Sequence, residues 1–113
     1  MTLPLPPPLN DMYVPNYGGR RGVRKSAACE AWEYEAAMTA KAQRGMLVPK
    51  PFKVAMSVRM FYKYERDIDS SQKALQDCMQ GILYDDDSQI VRLEITKEKD
   101  AKNPRIEMEL SRV

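Results

Sequence analysis

The chain has no histidine and only two cysteines among its 113 residues. Without imidazole, the usual zinc ligand sets, histidine general bases and Ser-His or Cys-His nucleophile systems are excluded. Cys29 and Cys78 stand alone, outside any CxxC pair and within apolar periodic segments. They are expected to be small buried hydrophobes in a reducing compartment. No apolar run approaches the ~20 residues that cross a bilayer. Pro4, Pro6, Pro7 and Pro8 break up the first residues, so a secretory leader is not expected and a soluble cytoplasmic protein is. No phosphate-cradling loop is present either. Gly18-Gly19-Arg20-Arg21-Gly22 lacks a preceding buried strand and a Gly-Lys-Ser/Thr ending, which argues against a nucleotide cofactor.

Charge is plentiful but nearly balanced, 18 basic residues against 16 acidic for a net +2. Its distribution says more than its sum. Arg20-Arg21-Gly22-Val23-Arg24-Lys25 holds four positive charges and no acid, whereas Asp85-Asp86-Asp87 is a run of three acids. That separation suits a surface that grips a phosphate backbone and another that holds a cation, and it also fits two solvated loops. A chain of this length forms about one small domain with a modest core. Association into a homodimer is a natural way to bury more surface.

The periodicities predict an α+β domain, a small mixed sheet packed by two helices in the order β-α-β-α-β-β. Residues 2–5 read as a short edge strand, where Pro4 is tolerated, and the following prolines as a stiff exit from it or a polyproline ligand. Residues 10–25 carry no hydrophobic period and read as a flexible basic loop. Ser26 fits the N-cap of an alanine-rich helix running to Arg44, with Ala27, Ala31, Tyr34 and Met38 as its apolar face and Trp32 partly buried. Residues 52–62 alternate as a strand with Val54, Met56, Val58, Met60 and Tyr62 on one side. A helix from about Ser71 follows, striped with Leu75, Cys78, Met79 and Ile82, with Gly81 near its end. Ile90–Thr96 and Arg105–Leu110, joined by a polar turn, read as a closing hairpin.

The strand at 52–62 leads directly to Arg66-Asp67-Ile68-Asp69, and the second helix leads to Asp85-Asp86-Asp87-Ser88-Gln89. In an extended backbone, Asp67 and Asp69 point to one face, and a third carboxylate returning from the far side of the helix would complete an oxygen-ligand site suited to magnesium or manganese. Carboxylates about 4 Å apart repel by roughly 1 to 4 kcal/mol per pair at surface dielectrics, so such a cluster calls for a cation or raised pKa values. The same acids also fit a helix N-cap and a polar loop. A calcium loop fails, because Gln72 and Cys78 stand where its glycine and glutamate belong. Lys73 lies one helical turn beyond Asp69, suited either to charge building on a phosphate or to an ordinary pair with Asp69 or Asp77.

These residues carry a family resemblance. Leu3-Pro4-Leu5-Pro6-Pro7 with Asn10 and Tyr13, Arg66-Asp67-Ile68-Asp69, Lys73 and Asp77, and Gly81-Ile82-Leu83-Tyr84 before Asp86-Asp87-Ser88-Gln89-Ile90 resemble the RusA-type Holliday junction resolvases. The resemblance covers most of the chain as a single domain, 1–113, and is densest from Arg66 to Ile90. It implies a bacterial or phage-encoded endodeoxyribonuclease that binds four-way DNA junctions as a homodimer and makes paired symmetric nicks, leaving 3′-hydroxyl and 5′-phosphate ends in recombination, repair or phage DNA processing. It further implies that Asp67, Asp69 and Asp87 bind Mg²⁺, or Mn²⁺ in its stead, and that Lys73 is the active-site lysine. Ser70 stands where the family commonly has asparagine, and Glu65 and Asp85 add charge beside the motifs. Arg20, Arg21, Arg24, Lys25, Arg59, Lys63 and Arg66 are the candidates for DNA phosphate contacts. Rival readings are a junction-binding protein without turnover, a nuclease for other branched DNA, and a protein-interaction module using the proline-rich terminus.

Overall fold

The structure, a computed structural model, describes residues 1–16 and 22–113. It opens with strand β1 (Thr2–Leu3), a short helix α1 (Leu9–Met12) and two short strands, β2 (Tyr13–Pro15) and β3 (Val23–Lys25). Helix α2 (Ala27–Gln43), strand β4 (Val54–Tyr62), helix α3 (Ile68–Met79), and strands β5 (Ile90–Lys99) and β6 (Arg105–Arg112) follow. The architecture is the expected α+β with a small mixed sheet, enlarged by α1 and by the pair β2 and β3. Tyr13 pairs with Lys25, Val14 with Arg24 and Pro15 with Val23, so the ends of the expected flexible loop form an antiparallel ribbon. Gly22 takes a φ of +101° there, a conformation that an L side chain rarely adopts. Ser26 ties the ribbon down, donating its amide to Met12 O at 2.8 Å and its hydroxyl to Asp11 O at 2.5 Å. No hydrophobic period announces this ribbon, because both strands are short and largely exposed.

The four-stranded sheet runs β1-β6-β4-β5, with β4 parallel to β5 and antiparallel to β6. The closing hairpin is therefore corrected: β5 and β6 follow one another in sequence but flank β4. Asp100, in the turn between them, donates its amide to Tyr62 O at 2.9 Å, which locks the end of β4 beneath that turn. A polar turn signals reversal of direction and carries no information about which strands become neighbours. Even-numbered β4 residues, Val54 to Tyr62, are all buried as the alternation predicts, and Leu75, Met79, Ile106 and Met108 complete that core face.

The α2 face is the other correction. Ser26 caps the helix as expected, accepting from Cys29 N at 3.0 Å. The buried residues are Cys29, Trp32, Ala36 and Ala40, while Tyr34 and Met38 are 71% and 49% exposed. Apolar residues surround an alanine-rich helix, so periodicity does not select a face. The large indole does. Trp32 is buried and donates its Nε1 to Pro4 O at 2.8 Å, fastening the N-terminal segment. Trp32→Ala is expected to destabilise the fold by about 3 to 5 kcal/mol, read from urea unfolding.

The β5–β6 turn is held electrostatically. Arg105 stacks on Phe61 at 3.9 Å to the ring centroid and pairs with Asp100 at 2.9 Å and Glu107 at 3.1 Å. The guanidinium beside Asp100 holds its carboxyl below the usual range. A depressed native pKa adds stability that is complete above the unfolded value of about 4 and is lost as pH falls through the native one. Asp100→Asn is therefore expected to lower stability at neutral pH and to flatten its decline below about pH 4, measurable as the pH dependence of Tm.

Candidate functional site

The proline-rich start of the chain is spent on architecture. Pro6 is fully buried, and Arg66 donates its Nη1 to the Pro6 carbonyl at 2.5 Å. Arg66 Nε is buried without a partner, and burial lowers the guanidinium's pKa. No carboxylate pairs with it among the described residues. A cation half-buried in this way is a site of unspent positive charge at the mouth of the acidic motif.

Helix α3 begins three residues earlier than the sequence suggested. Asp67 is its N-cap and Asp69 lies in its first turn, so the two carboxylates are not carried on an extended segment. Both are exposed and neither belongs to an ion pair among the described residues. Negative charge is stabilised at a helix N-terminus, which keeps two close carboxylates compatible with the fold. Lys97 of β5 closes this end of the sheet, bonded to Glu65 Oε1 at 2.5 Å and to Arg66 O at 3.3 Å. Glu65 is itself held below the usual carboxylate range by Lys97 and by the Tyr62 hydroxyl.

The second acidic group is built differently. Asp86 caps a single 3-10 turn, Asp87–Gln89, accepting from Ser88 N, while Gln89 Oε1 accepts from Asp86 N at 2.9 Å. Gln89 is almost fully buried and donates to Val48 O at 3.1 Å and Phe52 O at 2.8 Å. The glutamine of the Asp-Asp-x-Gln motif is therefore the anchor that fixes this loop to the chain before β4. Lys50 pairs with Asp86 at 3.2 Å and, with the Ser88 amide and Asp87, lowers its pKa to about 2. Lys50 N also donates to Asp85 Oδ2 at 3.0 Å. Asp87 is half-exposed and free of ion pairs among the described residues, its amide donating to Gln80 Oε1 at 3.3 Å.

The structure does not bring the three aspartates together within one chain. Asp67 and Asp69 follow the C-terminal end of β4, whereas Asp87 precedes the N-terminal end of β5, which runs parallel to β4. Between them α3 travels the length of the sheet, and the rise from Asp69 to Gln80 alone is about 16 Å. Among the described residues no group of three or more Asp, Glu or Cys side chains is close enough to hold an ion. The donor chemistry nonetheless fits a hard divalent cation, since the Asp67, Asp69 and Asp87 carboxylates form no ion pair among the described residues.

The basic candidates divide sharply. Lys73 is exposed and pairs loosely with Asp77 at 3.4 Å, the ordinary i,i+4 contact, which costs little to open. Lys25 is paired with Glu33 at 2.8 Å, and Arg59 sits between Glu98 and Glu107 on the sheet face away from the helices. Arg24 projects exposed from the ribbon, and Lys63 lies over the Tyr64 ring on the way to Asp67. Arg20 and Arg21 lie outside the described residues. Sequence reasoning missed Lys50 and Lys97, the cations that brace the two acidic loops. Both come from segments distant in sequence, so no local spacing marks them.

Of the two cysteines expected to be buried, Cys29 is buried and Cys78 is half-buried. Burial pushes the Cys78 thiol up to about 11 and raises that of Cys29 as well.

A small mixed-sheet domain thus carries a ribbon with Arg24 exposed and, toward opposite ends of its sheet, Asp67, Asp69 and Asp87 outside any ion pair among the described residues. The chain matches the model of the family described as endodeoxyribonuclease RusA over residues 4–111, and it belongs to that family. Family membership makes it an endodeoxyribonuclease, an enzyme of the class that acts on Holliday junctions. A comparison with curated proteins gave no match.

Proposed function

We propose that the protein resolves four-way DNA junctions as a homodimer with Mg²⁺ or Mn²⁺, each metal site taking Asp67 and Asp69 from one subunit and Asp87 from the other. The observation that carries this reading is the separation, to opposite ends of one sheet, of Asp67 and Asp69 from Asp87, none of them in an ion pair among the described residues. Neither half supplies three ligands. Two copies related by a two-fold axis supply two complete sets, matching the approximate two-fold symmetry of a junction.

When bound, the metal would polarise a phosphoryl oxygen and lower the pKa of an attacking water. The chain's own side chains do the rest. Lys73, released from its weak contact with Asp77, offers an ammonium to charge developing on the phosphate. Arg66, half-buried and without a carboxylate partner among the described residues, and exposed Arg24 and Lys63 offer phosphate contacts that position the backbone without reading sequence. Arg59 and Lys25 are weaker candidates, since each would have to abandon carboxylate partners. The proline-rich terminus is not free to act as a ligand for a partner domain, because Pro4 and Pro6 are bonded into the fold.

The test is cleavage of a labelled four-way junction beside linear duplex and flap controls, with Mg²⁺, with Mn²⁺ and with chelator. Paired, metal-dependent nicks confined to the junction are expected. Junction binding without cleavage under either metal would instead make the chain a binding protein, and cleavage of flaps with equal efficiency would make it a broader branched-DNA nuclease.

A further inference from the structure

Among the described residues the two most exposed aromatic side chains are Tyr34 and Tyr64, at 71% and 74%. Their surroundings differ. Tyr34 lies on α2, flanked in sequence by Glu33 and Glu35, whose charge repels a phosphate backbone. Tyr64 lies in the loop from β4 to α3, three residues before Asp67, with the Lys63 ammonium 5.4 Å from its ring centroid.

That loop is pinned around the exposed ring. Tyr62 is buried and donates its hydroxyl to Glu65 at 3.2 Å, Lys97 donates to Glu65 and to the Arg66 carbonyl, and Arg66 donates to Pro6 O. Tyr64 is therefore carried on a bend fixed on both sides, which lowers the entropy lost when the ring meets a ligand. Cations gather at the same end of the sheet. Lys99 is the β5 partner of Tyr62, and Lys102 follows in the turn to β6. Lys63, Lys99 and Lys102 are exposed, and none is in an ion pair among the described residues.

We propose that Tyr64 is a base-stacking site: its ring takes the face of a nucleobase unstacked at the branch point of the DNA, while Lys63, Lys99 and Lys102 hold the phosphates beside that base. The proposal rests on the junction-cleaving reading above and names what would make it selective for branched DNA. Phosphate contacts can be made to any DNA and carry no preference for a junction. A base face is different. In a linear duplex stacking covers both faces of each base, whereas a branch interrupts the stack and lowers the cost of exposing one. Stacking on an aromatic ring is also tolerant of sequence, because every base has a π face. Tyr64 thus supplies discrimination by shape, and the lysines supply affinity.

The test is binding of the full chain, without divalent metal, to a four-way junction carrying 2-aminopurine at the branch point and to a linear duplex carrying it at the matching position. Tyr64→Ala is expected to bind the junction about tenfold more weakly and the duplex unchanged, and Tyr64→Trp to bind the junction as wild type does. Wild type is expected to alter 2-aminopurine emission at the branch point, and Tyr64→Ala to lose that change. Lys99→Gln combined with Lys102→Gln is expected to weaken binding to both DNAs alike and to reduce the slope of log affinity against log salt by about 2. Unchanged junction affinity for Tyr64→Ala, or equal losses on junction and duplex, overturns the stacking site. An unchanged salt slope in the lysine variant overturns the phosphate contacts assigned to Lys99 and Lys102. Metal-dependent junction cleavage by wild type with no effect of Tyr64→Ala would overturn this site alone. Junction-selective stacking without cleavage under either metal would instead sink the proposed activity and leave the site standing.

Discussion

Mixing Asp69→Asn protein with Asp87→Asn protein is expected to restore junction cleavage that neither variant performs alone. Loss of one carboxylate ligand removes several kcal/mol of transition-state stabilisation, a decrease of about a thousandfold or more in cleavage rate. If the ligands of each site came from a single chain, mixing two dead proteins would leave every site dead. If they come from two chains, a mixed dimer carries both lesions in one site and none in the other. Random exchange would then restore about a quarter of the sites, and they would make single nicks in place of paired cuts. The control is Asp67→Asn mixed with Asp69→Asn. Those residues share one half-site at the start of α3, so this pair is expected to stay inactive. Rescue of the control, or no rescue of the test pair once subunits have exchanged, would sink the shared-site reading.

Gln89→Ala is expected to cost about 3 kcal/mol of stability and to lower cleavage beyond what the loss of folded protein explains. The side chain makes three hydrogen bonds in a nearly dry environment, to Val48 O, Phe52 O and Asp86 N. Each contributes about 1 kcal/mol, and its removal leaves the part-buried Val48 and Phe52 carbonyls without this donor. The same three bonds hold the 3-10 turn that carries Asp87, so the loop would lose its fixed position. Gln89→Glu separates the two effects: it keeps the acceptor for Asp86 N and loses both donations. Urea unfolding and junction cleavage measured on folded protein provide the readouts. A variant as stable and as active as wild type would show that the turn is held by other contacts.

The family signature and the strongest secondary elements were legible in the sequence because they depend on local chemistry. Alternation from Val54 to Tyr62 fixes which β4 side chains enter the core, and Ser26 and Gly81 mark helix ends through capping and a φ of +83°. Leu75 and Met79 repeat at helical spacing and are fully buried. Where local chemistry was ambiguous, the reading failed. On α2, alanine on every side left the buried face to Trp32. Between Asn10 and Lys25, a ribbon of exposed residues carries no alternation to detect.

The sequence by itself determined which acids stand out, Asp67, Asp69 and Asp87, and that a helix lies between them. Only the tertiary structure decided where those elements stand. Because β5 returns parallel to β4, α3 must run the length of the sheet, and the chain that joins the acidic motifs also holds them apart. Strand order comes from long-range pairing, which short-range periodicity does not encode. For that reason acids that read as one cluster in sequence stand as two separate groups in the folded chain.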